Sequence, residues 1–386
     1  MSYQNLLARA DLALSFEDIY LLPNFSDIVS RKDIDTSTQL SRHIRIKYPI
    51  ISSPMDTISD VEMCAALNNI GAAGILHRFH DANPKVNFDI RCQKAKQIKE
   101  ESGKCYIAIG LNDYLEQLWY FQTLGVDLFV LDIAHGTQKR IFDFIKQYKA
   151  SKNLSTIDLI TGNTLTKESV TRSVNLGADG VRHNVGGGKM CITSMQTGIG
   201  CPVITSLYYG FKGLNNWELN NNDVDNPQLR PSLLLDGGIK CAGDFCKAIA
   251  AGADAVITGA IFAGCKETPG PIYYKVNDEY ISITSINPLN EYKDKDFYED
   301  YKQYKLYRGQ ASKSVQEDFE MYDGDTQNLF VEGKEEYVPY QDKSCVDIVH
   351  EYVNGLRSCA SYLGLKSVFQ MRGSLWNGVT KWVRTK

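Results

Sequence analysis

The stretch VGGGKMCITS, Val185 to Ser194, sets three glycines beside a lysine and places a cysteine two residues ahead of a threonine. Lacking Cβ atoms, Gly186, Gly187 and Gly188 let the backbone approach a ligand closely and turn successive amides toward an anion. Lys189 adds a cation. Cys191 is then a candidate nucleophile, because a nearby lysine and backbone amides favour the thiolate. Thr193 is its polar neighbour. A cysteine by itself is more often a small core residue, and the glycine loop is what separates Cys191 from the rest.

A second glycine set, DGGIKCAGD (236–244), is followed by TGAIFAG (258–264). Loops of this kind suit phosphate, and Asp236 can accept from a ribose diol. Phosphate plus sugar means a nucleotide. No G-x-G-x-x-G opens a helix after a first strand, so this is not the dinucleotide fingerprint. His135 is a candidate base or ligand. His77 and His80 lack an evident third ligand, and no metal is assigned to them.

These groups need a frame. Short apolar runs recur at 48–53, 72–77, 105–110, 127–135, 157–163, 178–185, 232–238 and 253–260, each leading into a more polar, helix-length segment. Continuous apolar runs of that length read as strands buried on both faces. Eight of them alternating with helices predict a single-domain (β/α)8 barrel of the α/β class, with an open doubly wound sheet as the alternative. CPVITSL (201–207) is a candidate ninth strand. In a barrel, Ser53, Asp132, His135, Asn163, Cys191 and Asp236 fall at the strand C-termini, around one mouth, where active sites of this architecture gather. Residues 209–230, rich in asparagine, read as a loop insertion. Residues 288–307 read as a solvated segment and 308–340 as a mobile flap. A helix is expected over 347–363 and a C-terminal tail over 364–386.

The chain of 386 residues carries a formal net charge of -4, which argues against nucleic-acid binding by bulk electrostatics. It has no apolar run long enough to span a membrane. Its first twenty residues lack the basic start and unbroken apolar core of a signal peptide. The ten cysteines are scattered without Cys-x-x-Cys pairs, as in reduced, cytoplasmic proteins.

LSFEDIYLLP (14–23), PIISSPMDT (49–57), LDIAHG (131–136), GADGVRHNVGGGKMCIT (177–193), the run from Leu234 to Gly264, YRGQAS (307–312) and EGKEEYVPY (332–340) together resemble the IMP dehydrogenase and GMP reductase family, in that family's order. The resemblance covers about residues 14 to 363. It implies a (β/α)8 barrel assembled as a homotetramer or homo-octamer, here without the family's tandem CBS regulatory insert. It makes Cys191 the nucleophile at purine C2 and Thr193 the catalytic threonine, with Glu332 as a proton relay. It places GMP or IMP on Ser53, Met55, Gly188, Lys189, Asp236, Gly238, Gly259, Tyr307 and Gly309. Asp132, Asn163 and Arg182 fall on the side of the cofactor, NADPH/NADP or NAD. The carbonyls of Gly186, Gly188 and Cys191 match a monovalent-cation site suited to K+.

Both activities of the family pass through a covalent purine–enzyme intermediate. A dehydrogenase must then hydrolyse it, and the family uses an Arg-Tyr pair on the flap. No arginine occurs between Arg308 and Arg357, and Met321 precedes Tyr322, so that pair is absent. A reductase needs a proton for departing ammonia instead, which Thr193 and Glu332 can relay. That favours GMP reductase. SSPMDT and LDIAHG look more like the dehydrogenase, which stays as the alternative. Lys189 stands where the family usually has a phosphate-binding serine, Ala260 replaces a second small polar residue, and His183-Asn184 replaces Val-Gly. These departures keep open a nucleotide-binding pseudoenzyme or assembly subunit.

Overall fold

Each of the eight apolar runs becomes a strand whose alternate residues face a barrel interior and a surrounding ring of helices. The computed structural model describes residues 13–221, 229–276, 278–282, 302–319 and 330–385. The strands are β1 (Ile50–Ser52), β2 (Ile75–Leu76), β3 (Tyr106–Ile109), β4 (Leu128–Leu131), β5 (Asp158–Thr164), β6 (Gly180–His183), β7 (Ser232–Asp236) and β8 (Ala255–Thr258). They pair in parallel in chain order, and β8 returns to β1 with Ile257 opposite Ile51. A bridge between Ile51 and Ala73, just ahead of β2, closes the ring. The fold is a (β/α)8 barrel.

Strand alternation divides the core. Ile51, Ile75, Tyr106, Ala108, Leu128, Val130, Ile160, Leu234 and Ile257 fill the interior. Their neighbours Ile107, Ile109, Phe129 and Leu131 face outward against the helices. The helices are α1 (Val61–Ile70), α2 (Pro84–Ser102), α3 (Leu115–Thr123), α4 (Lys139–Ala150), α5 (Lys167–Asn175), the single turn α6 (Thr193–Thr197), α7 (Val203–Asn221) and α8 (Ala242–Ala250). Local sequence marks their ends. Asn83 caps α2 through the amides of Lys85 and Val86, with Pro84 at the first helical position.

CPVITSL does not form a ninth strand. Pro202 precedes α7, and Ile204, Leu207, Phe211 and Leu214 bury at helical spacing. The expected loop over 209–230 is therefore helical as far as Asn221. Gly210 and Gly213 explain the misreading: an added Cβ would lie 2.9 Å from His183 Cδ2 at Gly210 and 2.7 Å from the Lys167 carbonyl at Gly213. Both glycines let α7 sit close to β6 and α5.

After β8 the chain builds a four-stranded antiparallel sheet from β9 (Tyr273–Val276), β10 (Glu279–Ser282), β11 (Gln303–Arg308) and β12 (Glu335–Pro339), in the order β10-β9-β11-β12. The expected flap thus has both ends in this sheet, with α9 (Lys313–Asp318) between them. Its remainder, 320–329, lies outside the described residues, as does most of the expected solvated segment. Helix α10 (Cys345–Leu363) packs between α8 and α1 and completes the helical ring. Residues beyond it do not form a loose tail. Helix α11 (Val368–Met371) buries Val368 and Met371, and strand Trp382–Arg384 pairs antiparallel with Ile19–Leu21. At the opposite end of the barrel from the strand C-termini, the hairpin of Thr38–Gln39 and Arg45–Ile46 plugs the interior with Leu40 and Ile46.

Candidate active site

The strand C-termini open into one cavity of about 400 Å³, a size typical of small-molecule sites. Cys191, Thr193 and Glu332 line it. So do Ser53, Met55, Gly188, Lys189, Asp236, Gly238, Gly259, Tyr307 and Gly309 of the expected nucleotide set, and Asp132, Asn163 and Arg182 of the expected cofactor set. Residues distant in the chain meet there because the parallel strands all point one way and the segment ahead of β12 folds back onto the Cys191 loop.

The glycine loop presents the thiol. The Cys191 N–H donates to the Gly188 carbonyl at 3.1 Å, which folds the loop back on itself. The Ile192 N–H donates to the Glu332 carbonyl at 2.8 Å and the Lys334 N–H to the Met190 carbonyl at 2.9 Å. Cys191 is thereby laced to Gly333 as in a short antiparallel ladder. The side chains form a directed series. The Cys191 Sγ–H donates to Thr193 Oγ1 at 3.2 Å, and that hydroxyl donates to Glu332 Oε2 at 2.6 Å. The order of donors runs from thiol to carboxylate, so a proton leaving sulfur has a path to Glu332.

Across the cavity, Arg182 from β6 is buried between two acids. Its Nη1 donates to Asp132 Oδ1 at 2.5 Å and its Nη2 to Asp236 Oδ2 at 2.8 Å. Asn163 Nδ2 also donates to Asp236 Oδ2, at 2.5 Å. Burial opposes the guanidinium charge, but Asp236 and Asp132 outweigh it and raise the Arg182 pKa. The clamp fixes the positions of both carboxylates. Asp132 Oδ2 is buried and makes no hydrogen bond.

Some lining residues were not assigned from sequence. Arg78 and Phe79 follow β2, with the guanidinium over the ring at 4.0 Å from its centroid and Nε 3.5 Å from Asp132 Oδ2. Their signal was available, since HRFH sits at a strand end. Gln310 and Gln316 line the cavity from the flap, and the Gln310 amide donates to the Pro54 carbonyl. Asn184 adopts φ 109, in the left-handed region where glycine is favoured. Its amide donates to the Asp236 carbonyl at 3.2 Å and fills the space beside Gly187.

Other candidates fall elsewhere. His135 is exposed on its loop, outside the cavity lining. His183 is buried behind the site, with Nε2 donating to the Ser206 carbonyl at 2.7 Å and Nδ1 accepting from Thr164 at 2.9 Å. Burial pushes its pKa down to about 4, against the opposing effect of the Ser206 bond. His77 and His80 converge with Asp60, but the Lys94 ammonium already contacts Asp60 Oδ2 at 2.5 Å and His80 Nδ1 at 3.3 Å. Lys189 lines the cavity with its ammonium paired to Glu336 on β12.

Fold and site define a (β/α)8 barrel with a thiol–hydroxyl–carboxylate series at its mouth, facing a clamped pair of acids. The chain matches the model of the IMP dehydrogenase / GMP reductase domain over residues 13–301 and 286–380. It is 30% identical over 400 residues to an inosine-5'-monophosphate dehydrogenase of Cryptosporidium parvum, covering 93% of this chain and 90% of the relative. It is 29% identical over 372 residues to a GMP reductase of Streptococcus agalactiae (94% and 96%) and 30% identical over 364 residues to one of Lactobacillus gasseri (93% of each). The chain belongs to the IMP dehydrogenase / GMP reductase family, oxidoreductases that act on purine nucleoside monophosphates with a nicotinamide nucleotide.

Proposed function

We propose that the protein is a GMP reductase, converting GMP and NADPH to IMP, ammonia and NADP. The observation that carries this reading is the donor series from Cys191 through Thr193 to Glu332. In the first step the Cys191 proton passes along the series, and the thiolate attacks C2 of the purine. Glu332, now protonated, returns the proton through Thr193 to the 2-amino group, which leaves as ammonia while the C2–S bond remains. When bound, the reduced nicotinamide supplies hydride to C2. The C2–S bond then breaks, and because the first proton has left with ammonia, the Cys191 thiolate takes a new one from solvent along the same series.

The surrounding residues fit both ligands. Backbone amides of the loops at Gly188, Gly238 and Gly259 suit the 5′-phosphate, with Lys189 as a point charge. Asp236, held by Arg182 and Asn163, suits the ribose hydroxyls. The buried Asp132 Oδ2, which accepts no hydrogen bond and has only Arg78 Nε at 3.5 Å beside it, matches a carboxamide N–H of a nicotinamide. The reading includes K+ on the carbonyls of Gly186, Gly188 and Cys191. It also includes a homotetramer or homo-octamer in the cytoplasm. Phe25, Tyr362 and Phe369 stand exposed, as apolar side chains at contacts between copies do. Among the described residues, no helix is long and apolar enough to cross a membrane.

The test is a paired assay. NADPH oxidation that requires GMP and releases ammonia supports the reductase. NAD reduction that requires IMP makes the protein a dehydrogenase instead, an outcome favoured by the SSPMDT and LDIAHG stretches. Nucleotide binding without turnover in either assay would point to the pseudoenzyme.

A further inference from the structure

The charges of the cavity wall are mostly committed to one another. Arg182 is locked between Asp132 and Asp236, and Arg78 lies against Asp132. Lys189 differs, because its partner Glu336 stands outside the lining, on β12. That partner sits at the end of the cavity suited to phosphate. Glu336 is the cross-strand neighbour of Tyr307. The Tyr307 hydroxyl comes within 3.0 Å of where a Cβ on Gly259 would lie. Burial, and after it the Glu336 carboxylate, hold the Tyr307 phenol above its usual range. A carboxylate therefore occupies the edge of an anion site and holds the cation that site would use.

We propose that Glu336 is a built-in competitor for the nucleotide phosphate: it holds Lys189 until a 5′-phosphate dianion displaces it, so the pair lowers the site's affinity for nucleotides and leaves its affinity for nucleosides untouched. The inference rests on the nucleotide reading above. Lys189 and Glu336 are 50% and 31% exposed, so their attraction is screened and weak enough to exchange. A phosphate brings two charges and meets backbone amides that a carboxylate on β12 does not reach. Glu336 does not lose all its compensation on release, because Lys334 Nζ lies 4.0 Å from its other oxygen. A nucleoside has nothing to offer Lys189 and leaves the pair closed.

Isothermal titration of GMP and guanosine into the whole protein tests this. Glu336→Gln should tighten GMP about three- to fivefold, the scale of a half-exposed ion pair, and leave guanosine unchanged. Lys189→Met strands Glu336 beside the phosphate and should weaken GMP about tenfold or more. The double variant should recover part of that loss, because the repelling carboxylate is gone. The proposal is overturned if Glu336→Gln leaves GMP binding unchanged or weakens it, or shifts guanosine equally, as a purely structural anchor would. If the wild-type protein binds neither GMP nor IMP, the nucleotide reading falls first and this inference with it, a result distinct from GMP binding that ignores Glu336.

Discussion

Thr193 and Glu332 lie 139 residues apart in the chain, yet the hydroxyl of one donates to the carboxylate of the other at 2.6 Å. The backbone ladder between Met190–Ile192 and Glu332–Lys334 fixes that distance, so the carboxylate is held in place before any ligand arrives. Glu332→Gln keeps the size and can still accept from Thr193, but it cannot take a proton. Turnover should fall about 100-fold or more, the usual range for loss of a general acid–base. GMP affinity should change little, which steady-state kinetics and titration together would check.

Cys191→Ala removes the first donor of the series and the bond-forming atom. Turnover should fall below detection while GMP binding stays within a few-fold of wild type. Retained activity would refute a covalent route. Mass spectrometry of denatured wild-type protein, quenched during turnover, should show a purine adduct that the variant lacks.

Arg182→Met leaves Asp132 and Asp236 as buried acids without their shared cation. Removing one member of a buried ion pair typically costs about 3–5 kcal/mol. The variant should show a clearly lower denaturant midpoint. It should also lose affinity for GMP, because Asp236 is no longer held toward the cavity. A variant as stable as wild type would mean that the acids find other compensation.

The buried histidine behind the site predicts a pH effect on stability. His183 has a folded pKa of about 4, below the ordinary value of about 6.5. Between those values only the unfolded chain takes up the proton, so stability is complete above about 6.5 and falls as the pH drops toward 4. His183 alone contributes a loss of roughly 3 kcal/mol across that window. His80, pushed by burial and Lys94 down to about 4, acts in the same direction. Denaturation curves at pH 7.5 and 5.5 should show the protein less stable at the lower pH.

The barrel and the mouth residues were legible in sequence because each strand is a short apolar run that ends in a chemically distinctive residue. Cys191 and Asp236 announce themselves through adjacent glycines. What failed was local composition against tertiary context. Val203 and Ile204 are strand formers by propensity, and Gly210 and Gly213 look like loop residues. Yet they belong to one helix, because its buried face and its close approach to His183 decide the outcome. The partners of charged groups were equally hidden. Nothing near Lys189 in sequence points to Glu336, and nothing near Arg182 points to Asp132, since both pairs exist only through the packing of distant strands.

Ile19–Leu21 lies against Trp382–Arg384, and the seam continues where the Leu22 N–H donates to the Lys381 carbonyl at 2.7 Å and the Thr385 N–H to the Asp18 carbonyl at 2.9 Å. The first and last described strands thus make the backbone nearly a circle. In such a layout the order of the elements around the circle matters, and the point at which it is cut matters much less. Joining those strands by a short linker and opening the chain at an exposed turn, such as Lys152–Asn153 after α4, should give a permuted protein with the same barrel and the same mouth.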